Sequence, residues 1–318
     1  MSVDPFALGV FRRQAGPAFT GLVREDRVLD VSGLGTINDL LADWSHAFER
    51  LGELATSSAS QDWIDLAEVD IRCPVQPRQI LQCGANYRKH VVDIVMAERR
   101  AGLSTTGHNC DVPEAEVRAW AEAMMDDRAK TGTPYVFTGL PSALTGPYDD
   151  IVLPDHGTDH DWELELAAVI GDAPDAVAGY TICNDITTRS LVYRRDLKAI
   201  GTDWFAAKNS PTFLPTGPYL VPAAFVGDPA ALRITLKHNG VTRQDELAAD
   251  MLFDLPAILA YISSVTGLWP GDLVLTGSPA GNGAHWGVFL EEGDLIEGEI
   301  TGLGSQRNHV VGQRESTP

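Results

Sequence analysis

The chain is poor in cysteine. Only Cys73, Cys83, Cys110 and Cys183 occur, and no two of them stand in a C-x-x-C pair. That spacing excludes a zinc ribbon or a thioredoxin-type redox motif, and reduced thiols in a cytoplasmic protein are the expectation. Long apolar runs are missing too: none reaches the roughly 18 residues of a membrane-spanning helix. The opening stretch "MSVDPFALGVFRRQAG" is interrupted and carries no cleavage pattern, so a secretory leader is not expected. Basic residues are scarce, with 24 Lys and Arg against 44 Asp and Glu, a net charge of −20. Such a surface repels a phosphate backbone or an anionic lipid, so neither nucleic acid nor a membrane is an expected partner. A small anion is still admissible, because a few local cations override the global sign.

The length of 318 residues suits one large domain, or a large domain with a smaller companion. Residues 1–75 read as a small β-rich module. It has a hairpin candidate at Glu25-Asp26 and a helical apolar rhythm through Leu40, Leu41, Trp44, Phe48 and Leu51. The proline-bearing stretch "CPVQPRQ" (73–79) is the expected boundary. "ILQCGANYRKHVVDIVMAERR" then reads as strand, turn and helix. "DVPEAEVRAWAEAMMDDRAK" is a second helix, with Pro113 in its first turn and Val117, Trp120, Met124 and Met125 on one face. From residue 133 onward short β-like runs alternate with Gly and Pro, and Asn239-Gly240 signals a tight hairpin. The expected class is α+β and β-rich, mostly antiparallel, closed or sandwich-like. One further helix lies around 251–266, and the last residues should fray.

Within "WELELAAVIG" Glu163 and Glu165 occupy positions i and i+2 of a strand, hence one face. Ala167 and Val169 continue that face, while Leu164, Leu166, Ala168 and Ile170 line the other. Two ionised carboxylates so close repel, unless one takes a proton or a cation holds them. Two readings follow: a solvated strand end, or a partly enclosed ligand pair. Asp185, ending the apolar run "VAGYTICND", is either a turn former or a third oxygen ligand. Three carboxylates suit a hard cation such as Mg²⁺. A rival zinc site at His156 and His160, spaced i,i+4, is disfavoured by Pro154 and Gly157. Those histidines are expected in a loop or at a rim. His90 and Asp93 stand three apart on a helix, the spacing at which a carboxylate can orient an imidazole as a general base. Arg189, Lys208 and the turn "TGSPAG" (276–281) are weaker candidates. The frame is not that of a nucleophile elbow, and "GNGAHWG" is not a dinucleotide fingerprint.

Taken in order, "GANYRKH" (84–90), "WELELAAVIG" (162–171), "VAGYTICNDITTR" (177–189), "KNSPTFLPTGPYLVP" (208–222), "PGDLVLTGSPAG" (270–281) and "EEGDLIEGEITGLGSQRNHV" (291–310) resemble the fumarylacetoacetate hydrolase family. The resemblance implies a mixed β-roll catalytic domain over residues 76–318 behind a small N-terminal domain, commonly assembled as a homodimer. It implies Mg²⁺ or Mn²⁺ on Glu163, Glu165 and Asp185, and His90 as the base that activates water, with Asp93 and Lys208 beside it. It places Tyr87, Arg189 and Ser278 on the substrate side. The implied activity is hydrolytic C–C cleavage of a 1,3-dicarbonyl or acylpyruvate-type acid, as in aromatic catabolism. Decarboxylation of a 2-oxo acid, keto–enol isomerisation and dehydration of a sugar acid are alternatives at the same site. The chain departs from the family pattern in three places. Asp93 replaces a glutamate, Pro211 replaces an aspartate, and a helical insertion spans about 97–131. That insertion is open to three readings: a cap over the site, a dimer contact, or a surface embellishment.

Overall fold

The computed structural model describes residues 4–313, apart from 15, 58–61, 101–111, 174–175, 195 and 197–200. The last residues, expected to fray, and the middle of the 97–131 insertion, with Cys110, lie outside the described residues.

The N-terminal strands β1 (Ala7–Arg12), β2 (Ala18–Arg24), β3 (Arg27–Asp30), β4 (Trp63–Asp65) and β5 (Asp70–Arg72) form one sheet in the order β4-β3-β2-β1-β5. The expected hairpin is present: Arg24 pairs with Arg27 across Glu25-Asp26, with Glu25 at φ 54°. Helices α1 (Ile37–Leu41) and α2 (Trp44–Thr56) cover this sheet. Thr36 and Asp39 cap α1 reciprocally, each satisfying a backbone N–H of the other. The proline stretch 73–79 falls between β5 and β6 (Ile80–Gly84).

Beyond it come α3 (Arg88–Arg100) and α4 (Glu114–Thr131), then β7 (Tyr135–Gly139), β8 (Leu144–Thr145), β9 (Ile151–Leu153), β10 (His160–Asp161), β11 (Leu164–Ile170), β12 (Val177–Asn184) and β13 (Thr187–Thr188). Short helices α5 (Arg189–Val192) and α6 (Trp204–Lys208) precede β14 (Leu214–Pro215), β15 (Val221–Pro222), β16 (Arg233–His238) and β17 (Val241–Leu247). Helix α7 (Leu255–Val265), strand β18 (Leu273–Leu275), helix α8 (Gly283–Trp286) and strands β19 (Leu295–Ile300) and β20 (Gly304–Gly312) complete the chain. Pro113 precedes α4 instead of entering its first turn, and α7 starts only at Leu255, where Asp254 caps it.

A six-stranded sheet, β15-β12-β11-β18-β6-β7, and a five-stranded sheet, β17-β16-β19-β20-β9, share one hydrophobic core. This is the strand-rich mixed architecture expected. Most pairs are antiparallel, but β6–β18, β8–β14 and β9–β20 run parallel. The Asn239-Gly240 hairpin has both residues at positive φ, 51° and 76°, the conformation of a two-residue primed turn.

Strand β11 is central, so both its faces are buried, and they are buried differently. Leu164, Leu166, Ala168 and Ile170 enter the core between the two sheets. Ala167 and Val169 enter a second core with the N-terminal module, including Leu8, Leu22 and Leu41. Glu163 and Glu165 lie at the end of this second face, capped by the acidic cluster itself.

Candidate active site

Strand register assembles the acids. Leu164 pairs with Asn184, so the next step along both strands sets Glu163 opposite Asp185. The Asp185 N–H donates to the Glu163 carbonyl at 2.8 Å, and the Asn184 side chain accepts the Glu163 N–H at 2.9 Å. On the other side Ala167 pairs with Leu275, which sets Glu165 opposite Gly277, whose N–H donates to the Glu165 carboxylate at 2.8 Å. Gly277 has φ 99°, and a Cβ there would lie 2.9 Å from the Cys83 carbonyl, so glycine is required. One oxygen from each of Glu163, Glu165 and Asp185 falls within 4.8 Å of the others, and all three residues are buried.

Two buried cations face these acids. Lys208, at the C-terminal end of α6, donates from Nζ to Glu163 at 2.5 Å and to Asp185 at 2.6 Å. Arg189, immediately after β13, donates to Asp161 at 2.8 Å and to Glu163 at 2.5 Å. Pairing of β10 with β13 places it there: Asp161 lies opposite Thr187. Asp161 also accepts the N–H groups of Gly283 and Ala284 at the start of α8.

Burial works against charge on every one of these groups, and the partners decide the outcome. Burial opposes the Glu163 carboxylate, but Arg189 and Lys208 outweigh it and hold its pKa well below the usual range. Burial and Asp185 push Glu165 well above it. Burial pushes Asp185 up to about 6, with Lys208 opposing and Glu163 assisting. Burial also disfavours the Lys208 ammonium, yet Asp185 and Glu163 prevail and raise its pKa. Four buried carboxylates, Asp161, Glu163, Glu165 and Asp185, face the two cations Arg189 and Lys208, a formal charge of −4 + 2 = −2. Either protons or one divalent cation restores neutrality. The all-oxygen donor set fits a hard divalent ion.

The remaining candidates divide. His90 is in the centre, with Nε2 at 3.5 Å from Glu163. Burial lowers its pKa to about 4, so the ring is neutral near pH 7. Asp93 does not orient it: the Asp93 carboxylate lies 3.1 Å from Nδ1 of His285 on α8, and Nδ1 of His90 has no hydrogen-bond partner among the described residues. The physical reason is helical rotation. Three residues advance a helix by about 300°, which leaves neighbours on adjacent but distinct faces, and α3 turns one to the acids and the other to α8. Tyr87 is fully buried in the core between the sheets, where burial raises its hydroxyl pKa, Thr276 opposes that rise and the Glu165 carboxylate adds to it. The Ser278 hydroxyl accepts from Gln244 at 3.0 Å and donates to the Pro279 carbonyl at 3.2 Å, so it stabilises its own turn. His156 is in an exposed loop as expected, but His160 is buried in β10, bonded to Thr188 at 3.0 Å. Pairing of β10 with β13 draws it inward, and neither histidine belongs to the acidic cluster.

Four further residues serve the site without having been singled out by sequence. Asp161 continues the i, i+2 period of Glu163 and Glu165, a signal that was available. Gln82, a lone polar residue in the apolar run of β6, donates to Asp185 at 2.6 Å. Thr187 donates to Glu163 at 3.3 Å. Asn86 ties the turn before α3 to the turn after β18, donating to the carbonyls of Phe253 and Thr276 at 3.0 and 2.8 Å.

Residues 79–311 match the fumarylacetoacetate (FAA) hydrolase C-terminal family. The chain belongs to that family. Among curated family members, it is 38% identical to a human mitochondrial oxaloacetate tautomerase over 189 residues, which are 56% of the chain and 59% of that protein. A rat oxaloacetate tautomerase is 30% identical over 299 residues, 88% of the chain and 84% of that protein. A 2,4-didehydro-3-deoxy-L-rhamnonate hydrolase from Sphingomonas is 38% identical over 189 residues, covering 56% of the chain and 65% of that protein. Among solved family structures, maleylpyruvate hydrolase from Sphingobium, in complex with manganese and pyruvate, superposes with a TM-score of 0.69. It is 26% identical and covers 97% of this chain and 100% of that one.

Proposed function

We propose that this family member is a divalent-cation-dependent enzyme that interconverts the enol and keto forms of a small 2-oxo acid of the oxaloacetate type. The observation that carries this reading is the placement of the Lys208 ammonium on two of the three candidate ligands, Glu163 and Asp185. Glu163, Glu165 and Asp185 would hold the cation, Mg²⁺ or Mn²⁺, and when bound it would supply Lewis-acid polarisation of the substrate's oxygens. The enol loses its O–H proton to solvent, and Lys208 gives a proton to the adjacent carbon, producing the ketone. The resulting amine regains its proton from solvent. Arg189 stays charged against Asp161 and Glu163, which fixes the Glu163 carboxylate in place. None of these steps needs an oriented base for water.

A second reading, the C–C hydrolysis of an acylpyruvate, is favoured by one observation: neutral His90 stands beside Glu163, where it can take a proton from water. His90→Ala separates the two. With Mg²⁺ or Mn²⁺ present, the tautomerase reading predicts that ketonisation of enol-oxaloacetate keeps its rate within about tenfold, since general-base catalysis is not in use. A fall of about 10²-fold or more, matched by acylpyruvate cleavage in the unmodified protein, favours hydrolysis. Assembly as a homodimer is part of the proposal and is read from the native mass in solution.

A further inference from the structure

A wall of rings stands beside the buried Lys208. Tyr135 and Phe137 stand two apart on β7, hence on one face, with centroids 6.2 Å apart. Trp204, the first residue of α6, stacks on Phe137 at 4.9 Å and 17°, and its indole N–H donates to the Tyr135 hydroxyl at 2.6 Å. The wall is fixed from both ends. Asn209 donates to the Trp204 and Phe205 carbonyls, at 3.4 and 3.2 Å, and accepts the Leu140 N–H at 2.6 Å, tying α6 to the end of β7. Gly84 pairs with Tyr135 on the neighbouring strand, and a Cβ there would meet the Tyr135 ring at 2.9 Å. The missing side chain lets that ring lie across β6.

These rings are not core. Phe137 and Trp204 are partly exposed, and Tyr135 is 42% exposed. They nevertheless adjoin the acidic centre. Lys208 Nζ lies 6.0 Å from the Phe137 centroid and 5.9 Å from the Trp204 centroid, while bonded to Glu163 and Asp185. A substrate whose 2-oxo acid end sits at the carboxylates would reach these ring faces with the next few carbons of its chain. Ring faces offer offset stacking to a flat unsaturated group and nothing specific to a second carboxylate.

We propose that Tyr135, Phe137 and Trp204 form a subsite for the distal part of the substrate, selecting 2-oxo acids with a planar conjugated or aromatic substituent. This rests on the reading of the acidic centre as the site of the 2-oxo acid end, and it adds a preference, among small 2-oxo acids, for those whose distal part is flat and less polar.

Binding of pyruvate and of phenylpyruvate to the Mn²⁺-loaded protein, measured by calorimetry, tests it without requiring turnover. Phenylpyruvate should bind roughly tenfold more tightly than pyruvate, the size of one aromatic stacking contact. Trp204→Leu and Phe137→Leu should each bring that ratio down to within about threefold of unity, and Trp204→Phe should keep most of it. Failure of pyruvate itself to bind overturns the reading of the acidic centre, and the subsite with it. Equal binding of the two acids to the unmodified protein, or the same loss of both in the leucine variants, overturns the subsite alone. A leucine variant that changes the native mass while leaving the ratio intact identifies the rings as a contact between copies of the chain, which also overturns it.

Discussion

Glu165 and Asp185 are where protons and a cation compete. Burial, then Asp185, keeps Glu165 protonated well above the ordinary carboxylate range, and burial pushes Asp185 up to about 6. A cation must displace these protons, so its affinity rises with pH and falls as pH drops through about 6. Mn²⁺ titrations near pH 5 and near pH 7.5 should differ by about tenfold or more, weaker at the lower pH, with proton release visible as a dependence on buffer ionisation enthalpy. Equal affinities would contradict the assignment. At the same scale, Arg189→Met leaves Asp161 buried without its ion-pair partner. It should destabilise the fold by about 3–5 kcal/mol, seen as a lowered denaturation midpoint. The residue types were legible because strand period is a strong rule: Glu163 and Glu165 share a face whatever the rest of the chain does. Asp161 obeyed the same rule and went unclaimed because Pro154 and Gly157 made its surroundings resemble a loop. Arg189 and Lys208 entered as family-type cations. Sequence spacing holds no sign that each touches Glu163, because that contact depends on pairing between β10 and β13 and on the placement of α6.

Elements position these residues through turns with little freedom. The turn after β18 brings the Gly277 N–H to Glu165, and Gly277→Ala puts a Cβ 2.9 Å from a backbone carbonyl at a φ of 99°. The cost should be about 2 kcal/mol, with a parallel loss of Mn²⁺ affinity as Glu165 loses its donor. Gly33→Ala, with open space around it, is the control and should change neither. Hairpins at Glu25-Asp26 and Asn239-Gly240 were readable from turn chemistry, and the long runs of β11 and β12 from their apolar content. Helix α3 shows what spacing leaves unsaid. His90 and Asp93 could meet, but which face of α3 looks toward the acids is set by where α8 packs. The Asp93 carboxylate goes to His285. The parallel pairings of β6, β8 and β9 had no local signal either, since their partners lie more than sixty residues away.

At the scale of the molecule, β11 joins the two larger hydrophobic cores of the described residues. The N-terminal module and the six-stranded sheet bury the two ends of one face of β11: apolar at Ala167 and Val169, acidic at Glu165 and Glu163. Placing the acids there commits the fold to holding two uncompensated negative charges, or the protons that cancel them, inside a buried centre. A cation that binds the folded chain and not the unfolded one therefore stabilises it. The gain is about 2.7 kcal/mol at a hundredfold excess over Kd. The chain's net charge of −20 does not by itself oppose an anionic substrate at such a centre, because Arg189, Lys208 and a cation held by the acids would set the local field. The most direct measurement is Mn²⁺ binding to the unmodified protein and to Glu165→Gln by equilibrium titration, with thermal denaturation alongside. One Mn²⁺ per chain and a raised midpoint in the unmodified protein, both lost in Glu165→Gln, are the predicted result. Binding and stabilisation unchanged in Glu165→Gln would place the cation elsewhere and contradict the account of this site.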